Sequence, residues 1–370
     1  MKKILLFHFD LQGGGAEKVL VNLINHLDHT KYDITLRVLF GIGPNLKYLP
    51  QYIHYQPIFK TLFRGMPTLL KIFSGKTLYR LFVKEKYDIE IAYLETLPTR
   101  IISYSTNAKS KKLAWVHTTM NESYRYPRSF RNRAEAIKCY NNFDKIIFVS
   151  QGTKDAFNHY LPNVKTPKEV IYNVNDYDMI KKLSKEPIDD VILSKDYLNI
   201  CAVGRLILLK GYDRLIRSFD KVKKETQRNM QLYILGEGEE RKNLELLIND
   251  LSLSDDVHLL GFKNNPYKYM SEMNLFVCSS TIEGYSTVVT EALSLGVPVL
   301  TTNCSGMDEI LSNGKYGLIV NNDEVSLYQG LKNLIETPSL LLDYRDAIVK
   351  DNNYTTQAFV KKYEQLFDSL

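Results

Sequence analysis

Two glutamates bracket the segment Glu283-Gly284-Tyr285-Ser286-Thr287-Val288-Val289-Thr290-Glu291, which follows the apolar run Leu275–Cys278 and opens a helix. A carboxylate accepts hydrogen bonds from neighbouring hydroxyls, such as those of a sugar or a ribose diol. The glycine turn and helix start between the two acids present backbone N–H groups and partial positive charge, which suit an anion. The pattern therefore fits a ligand that is both anionic and polyhydroxylated. A plainer reading leaves Glu291 only a role at the helix dipole. A capping box does not account for it, because neither Ser286 nor Thr287 has Glu or Gln three residues on.

A second cluster, Gly204-Arg205-Leu206 with Lys210-Gly211, follows the run Ile200–Val203 and precedes a helix bearing Leu215, Ile216 and Phe219. Arginine forks onto phosphate oxygens and lysine supplies a point charge. Two cations at a strand end suit a diphosphate; the alternative is a solvated basic loop. Gly13-Gly14-Gly15-Ala16-Glu17 follows the first apolar run, where glycines let backbone approach a ligand closely. It is not G-x-G-x-x-G and places no acidic ribose ligand, which argues against NAD. Gly236-Glu237-Gly238 also lacks the third glycine and reads as a turn near a base or ribose. His117, at the end of Leu113–Val116, is placed to hydrogen-bond a ligand hydroxyl or phosphate, although a lone histidine is more often structural.

The elements that must hold these residues alternate along the chain. Apolar runs at Ile4–Phe9, Ile34–Phe40, Ile89–Leu94, Leu113–Val116, Ile146–Val149 and Val170–Tyr172 are separated by helical segments. The rhythm repeats at Ile200–Val203, Leu232–Leu235, Val257–Leu260, Leu275–Cys278, Val299–Thr301 and Leu318–Val320. Leu244, Leu247, Ile248 and Leu251 share one helical face. Strands alternating with helices predict an α/β chain of two doubly wound, Rossmann-like parallel sheets. Two such domains facing each other would form a cleft at the carboxyl ends of their strands, where ligands bind. The polar stretch 176–197, with Pro187, reads as the interdomain linker. The expected division is a first domain over 1–175, a second over 198–352, and a C-terminal helix over 353–370 that returns to the first.

The 370 residues are 44% hydrophobic and 24% charged, an ordinary globular balance for two domains. Asp10, Gln12 and the glycines end the first apolar run too early for a signal peptide, and no run approaches the ~20 apolar residues that span a bilayer. Cys139, Cys201, Cys278 and Cys304 form no C-x-x-C pair and read as buried thiols, so no metal site is expected. The net charge of +6 fits an enzyme handling phosphates beside an anionic membrane, or a nucleic-acid binder, although aromatics interleaved on an RNA-binding platform are not evident.

Together these motifs resemble the retaining glycosyltransferases of family 4, which have the GT-B fold. The Gly-Gly-Ala-Glu turn, the Gly-Arg-Leu…Lys-Gly loop, the Glu-x7-Glu segment, Val149-Ser150 and Asn173-Val174-Asn175 occur in that family's order and spacing. The resemblance implies that the second domain binds the donor and the first the acceptor. It implies that Arg205 and Lys210 clamp the diphosphate of a nucleoside-diphosphate sugar, with UDP the expected nucleotide. Glu291 would bind the ribose, and Glu283 the transferred sugar, beside the amides of Gly284, Tyr285, Ser286 and Thr287. His117 would touch the donor sugar, and Gly14 and Gly15 would lie near phosphate or acceptor. Gly236, Glu237 and the Gly261-Phe262-Lys263 turn would lie near the base. Where relatives often have Phe after Glu-Gly this chain has Tyr285, and where they often have Pro after the linker Asn it has Val174. The implied reaction is metal-independent transfer of a hexose or N-acetylhexosamine with retained configuration, without cofactor, in capsule or other surface polysaccharide assembly. The alternatives are another GT-B sugar-nucleotide enzyme, such as a 2-epimerase, and a non-enzymatic nucleotide-sugar-binding protein; the paired motifs favour transfer.

One basic segment, Phe59 to Lys86, interleaves Lys60, Arg64, Lys71, Lys76, Arg80, Lys84 and Lys86 with apolar residues. A second cluster comprises Arg125, Arg128, Arg131, Arg133 and Lys138. Such segments bind anionic membrane surfaces or form solvated faces. The expectation is a cytoplasmic protein, peripheral at the inner membrane face, taking a lipid-linked sugar acceptor and no nucleic acid.

Overall fold

The computed structural model describes residues 1–63, 65–351 and 355–370. Arg64 of the basic segment and the domain bound expected at 352–353 lie outside the described residues. The chain divides into two compact units, Met1–Asn175 with Thr356–Leu370, and Asp176–Thr355.

The first unit is built on a seven-stranded parallel sheet of order β3-β2-β1-β4-β5-β6-β7. Its strands are β1 (Lys2–His8), β2 (Tyr32–Phe40), β3 (His54–Phe59), β4 (Ile89–Ala92), β5 (Lys111–Val116), β6 (Lys145–Phe148) and β7 (Lys168–Val170). The central strands are continuous apolar runs because helices cover both faces, so Ile4, Leu5, Leu6 and Phe7 are all fully buried. β3, His-Tyr-Gln-Pro-Ile-Phe, is absent from the predicted strands. It is polar and carries Pro57, which is tolerated because β3 is an edge strand bonded only to β2.

The Thr356–Asp368 helix belongs to this unit. Tyr363 stacks on Trp115 with ring centroids 5.1 Å apart and planes 4° from parallel. The Tyr363 hydroxyl donates to Tyr172 O at 3.2 Å, and Lys2 Nζ donates to Phe367 O at 2.7 Å.

The second unit has a six-stranded parallel sheet of order β10-β9-β8-β11-β12-β13. Its strands are β8 (Leu198–Val203), β9 (Met230–Leu235), β10 (Val257–Gly261), β11 (Leu275–Cys278), β12 (Val299–Thr302) and β13 (Gly317–Val320). All six coincide with predicted runs. The stretch expected to be a linker is instead part of this unit. It begins with the Tyr177–Leu183 helix, and its polar groups are taken up by the segment around the Tyr267–Met270 helix. Asn265 Nδ2 donates to Leu183 O and Glu186 Oε2, both at 2.8 Å, and Lys268 Nζ donates to Pro187 O at 2.8 Å and Asp189 Oδ1 at 3.0 Å. Polarity there reflects these bonds rather than a free tether. Among the described residues no helix is long and apolar enough to cross a membrane.

Candidate functional site

Each sheet reverses its winding at one pair of strands, β1/β4 in the first unit and β8/β11 in the second. Crevices at the carboxyl ends of such strand pairs are where open α/β sheets bind ligands.

In the second unit three glycine turns are laced together at this edge. Leu206 N donates to Glu237 O, Glu240 N to Leu206 O and Gly236 N to Gly261 O, each at 2.9 Å. A Cβ on Gly236 (φ +149°) would stand 1.8 Å from Gly204 O, and one on Gly238 would stand 2.3 Å from Leu206 O. The glycines are thus required by the backbones of β8 and β9 packing on each other. From this frame Arg205 projects exposed to solvent. A short turn, Leu208–Lys210, then sets Lys210 over the β8/β11 switch. Gly211 (φ +62°) closes the turn, where a Cβ would lie 2.3 Å from Ser279 O.

Lys210 Nζ donates to Glu283 Oε1 at 2.6 Å, and the Ser280 hydroxyl donates to the same oxygen at 2.6 Å. The residues after β8 and after β11 are thereby joined. Burial works against the lysine charge, but the Glu283 carboxylate outweighs it and holds the pKa above the ordinary lysine value; Arg205 contributes an opposing repulsion. The two cations therefore stand within electrostatic reach of each other.

The loop carrying Glu283 is braced by residues the sequence reading did not select. Arg214 donates from Nε and Nη2 to Ser279 O at 2.9 and 2.6 Å, and from Nη2 to Ser280 O at 2.9 Å and Asn322 Oδ1 at 2.8 Å. Asn322 Nδ2 reaches Thr281 O at 2.8 Å, and the Thr302 hydroxyl reaches Ser280 O at 2.6 Å. Three consecutive carbonyls are thus satisfied from three other elements, which fixes the backbone on which Glu283 rides.

The Thr287–Ser294 helix follows, with Ser286 as its cap residue and Gly284, Tyr285 and Thr287 half-buried around the turn. The Ser286 hydroxyl makes no capping bond and is buried without a hydrogen-bond partner. Glu291 lies beyond the first turn, so the dipole role considered for it does not apply. It is buried, with the Tyr267 hydroxyl 3.3 Å from Oε1. Around the expected base site two of the charged side chains have partners within the unit. Glu237 pairs with Arg241 at 2.6 Å, Lys263 pairs with Asp190, and Phe262 is 69% exposed. Glu237 is tied to the helix that follows it, and Lys263 to Asp190 in the segment after the Tyr177–Leu183 helix, although both stay at the carboxyl edge.

Gly14, Gly15 and His117 lie in the first unit. Gly14 caps the Gly15–His26 helix with ordinary extended dihedrals, so no left-handed backbone demands glycine there. His117 follows β5, and its backbone N–H donates to Glu95 Oε2 at 2.9 Å. Its Nε2 is buried without a hydrogen-bond partner, and burial pulls its pKa down to about 3, so the ring is neutral. The sequence reading missed its neighbours. His8 at the end of β1 donates from Nδ1 to Asp10 O at 2.6 Å, and burial lowers its pKa to about 4. Tyr93, after β4, lies with its ring 6.3 Å from His8 and 5.1 Å from His117. Glu95 is buried, which raises its pKa. The available signals were a histidine inside the apolar run Ile4–Phe9 and an acid directly after Ile89–Leu94.

The crystal structure of Anabaena Alr3699/HepE in complex with UDP matches this chain with a TM-score of 0.76 over 100% of both chains, at 20% identity. Two parallel-sheet units of this topology define the GT-B class of glycosyltransferases. An uncharacterized glycosyltransferase of Methanocaldococcus jannaschii is 34% identical over 277 residues, 70% of this chain and 68% of its own. N-acetylgalactosamine-N,N'-diacetylbacillosaminyl-diphospho-undecaprenol 4-alpha-N-acetylgalactosaminyltransferase of Campylobacter jejuni is 29% identical over 355 residues, 94% of this chain and 93% of its own. The family described as Glycosyltransferase Family 4 matches residues 13–178, and that described as Glycosyl transferases group 1 matches 184–352. The chain belongs to this glycosyltransferase family.

Proposed function

We propose that the protein transfers a hexose or N-acetylhexosamine from a UDP-sugar to a lipid-linked sugar acceptor, with retained anomeric configuration, during surface polysaccharide assembly. The observation that carries this reading is the Lys210–Glu283 pair across the β8/β11 switch, with Arg205 beside it. Lysine has three donors and gives one to Glu283, so it can hold the carboxylate and a phosphate oxygen together. Arg205 and Lys210 take up the charge that develops on the departing diphosphate, where preorganised cations are most effective. Glu283 accepts from hydroxyls of the transferred sugar, and Glu291, held by Tyr267, accepts from the ribose. In the first unit the neutral His117 orients the sugar without competing for the phosphate.

The acceptor attacks from the face the diphosphate leaves, and the leaving phosphate oxygen takes the acceptor proton. UDP as the nucleotide is supported by its presence with Alr3699/HepE, and a lipid-linked acceptor by the diphospho-undecaprenol in the Campylobacter enzyme's name. The test is release of UDP from a panel of UDP-sugars, with the product anomer read by NMR. Slow hydrolysis of one donor, abolished in Lys210→Ala and Glu283→Gln, is expected. Turnover unchanged in both variants would refute the assignment.

A further inference from the structure

We infer that Glu95 is a positioning residue for His117, its buried carboxylate fixing the turn after β5 from which the imidazole orients the transferred sugar. This role presupposes the contact proposed above between His117 and the sugar. Glu95 follows β4 and is 4% exposed. Its Oε2 accepts the His117 N–H at 2.9 Å. Burial raises its pKa, and against that rise act the His117 amide, the Thr118 hydroxyl, its own amide and the Thr118 amide. Buried carboxylates are ordinarily matched by cations. The groups that stabilise this one are neutral donors, three of them from a single two-residue turn. The position of that turn is therefore tied to the acid.

The acid in turn has little freedom. The Thr99 hydroxyl donates to Leu94 O at 2.6 Å, and the Ser129 hydroxyl to Glu95 O at 3.4 Å. One residue earlier, Tyr93 N donates to Phe7 O of β1 at 3.1 Å. Tyr124 and Tyr140 stand against the carboxylate. Burial raises the pKa of both hydroxyls, and the Glu95 charge raises it further. The side chain is thus enclosed by aromatic rings on one side and by the His117 turn on the other.

The imidazole itself is held loosely by comparison. Its Nε2 has no hydrogen-bond partner among the described residues, and its ring packs on Tyr93 at 5.1 Å with planes 49° apart. Any shift of the backbone at 117 is therefore passed directly to Nε2. In the second unit Arg214 fixes the Glu283 loop by donating to its carbonyls. In the first, an acid fixes the His117 turn by accepting from its amides, the same task with the polarity reversed. Glutamine would not serve equally. It offers one oxygen, and its amide nitrogen would meet the turn's N–H groups donor to donor.

The test is steady-state kinetics of the full chain with the UDP-sugar it hydrolyses, alongside UDP affinity by calorimetry. Glu95→Gln should lower kcat roughly ten-fold and change KM by less than about two-fold, because displacement of a positioned group is felt in the reacting geometry. UDP affinity should also stay within about two-fold of the wild type, since the second unit holds the nucleotide. His117→Ala should lose at least as much turnover as Glu95→Gln. Glu95→Gln combined with His117→Ala should be no slower than His117→Ala alone, whereas a role confined to the fold would slow both backgrounds equally. Thr118→Val removes one donor at an exposed position and should cost about two- to three-fold in kcat, again only when His117 is present. It carries the same test if Glu95→Gln does not fold. Wild-type turnover in Glu95→Gln or in His117→Ala, or losses that add in the double variants, would overturn the inference. Those results would leave the donor grip standing if Lys210→Ala and Glu283→Gln still abolish hydrolysis.

Discussion

Lys210 and Glu283 meet across the β8/β11 switch of the second unit, and His8 and Tyr93 meet across the β1/β4 switch of the first. Strand order places both pairs equivalently, but the chemistry differs. The second unit keeps a lysine charged against a carboxylate, on a loop whose carbonyls are bonded to Arg214, Thr302 and Asn322. The first unit encloses two neutral imidazoles among aromatic rings. In the function proposed above, the charged edge takes the donor's anion and the neutral edge a polyhydroxylated group. The two edges differ in what stands at and after the two central strands of each sheet.

The sharpest way to break this contrast is by charge deletion. Lys210→Ala and Glu283→Gln should each reduce donor turnover by roughly 10²–10³-fold, as loss of a transition-state donor does elsewhere. His8→Asn keeps a donor near Asp10 O and should lower turnover by less than about ten-fold. Equal losses in steady-state rates would mean that the two edges do not differ as described.

Next in size is a backbone test. Gly236→Ala puts a methyl group 1.8 Å from Gly204 O in a left-handed conformation, and should cost about 3 kcal/mol or more in urea unfolding. Gly13→Ala in the first unit meets nothing within 4 Å and should change stability by less than about 0.5 kcal/mol.

The third test is pH. The folded-state pKa values of His8 and His117, about 4 and about 3, lie below the ordinary 6.5, so folding favours the neutral rings. Their contribution is complete above pH 6.5 and is lost as the pH falls toward 4 and then 3. For the fully buried His8 the full effect is of the order of 3 kcal/mol. Glu95 and Asp10, whose pKa values are raised by burial, act in the opposite sense over the carboxylate range. The difference between wild type and His8→Asn isolates the histidine. Trp115, the single tryptophan, is stacked between Tyr93 and Tyr363 and reports on this unit by fluorescence. The variant should lose less stability than the wild type between pH 6.5 and 4.

The smallest effect concerns Glu291. Tyr267→Phe removes one bond of 3.3 Å and should raise the KM for the donor a few-fold with little change in kcat.

Much of the second unit was legible because its parts are local. Its strands are apolar runs, and Arg205, Lys210, Glu283 and Glu291 stand at fixed distances from them. The braces were not legible. Arg214 meets Ser279 65 residues away and Asn322 108 residues away, and no spacing in the sequence encodes such a bond. In the first unit β3 was hidden by its polarity and Pro57, and His8 and Glu95 by lacking any companion motif. The stretch after Asp176 was misread because residues that hydrogen-bond to a neighbouring element have the same composition as a tether.

The central claim is that the second unit's carboxyl edge grips the nucleoside diphosphate. A crystal structure of the protein with UDP tests it most directly. Lys210 Nζ and the Arg205 guanidinium should lie about 3 Å from diphosphate oxygens, with Glu291 on the ribose hydroxyls. UDP bound elsewhere, with Arg205, Lys210, Glu283 and Glu291 turned away from it, would contradict the account.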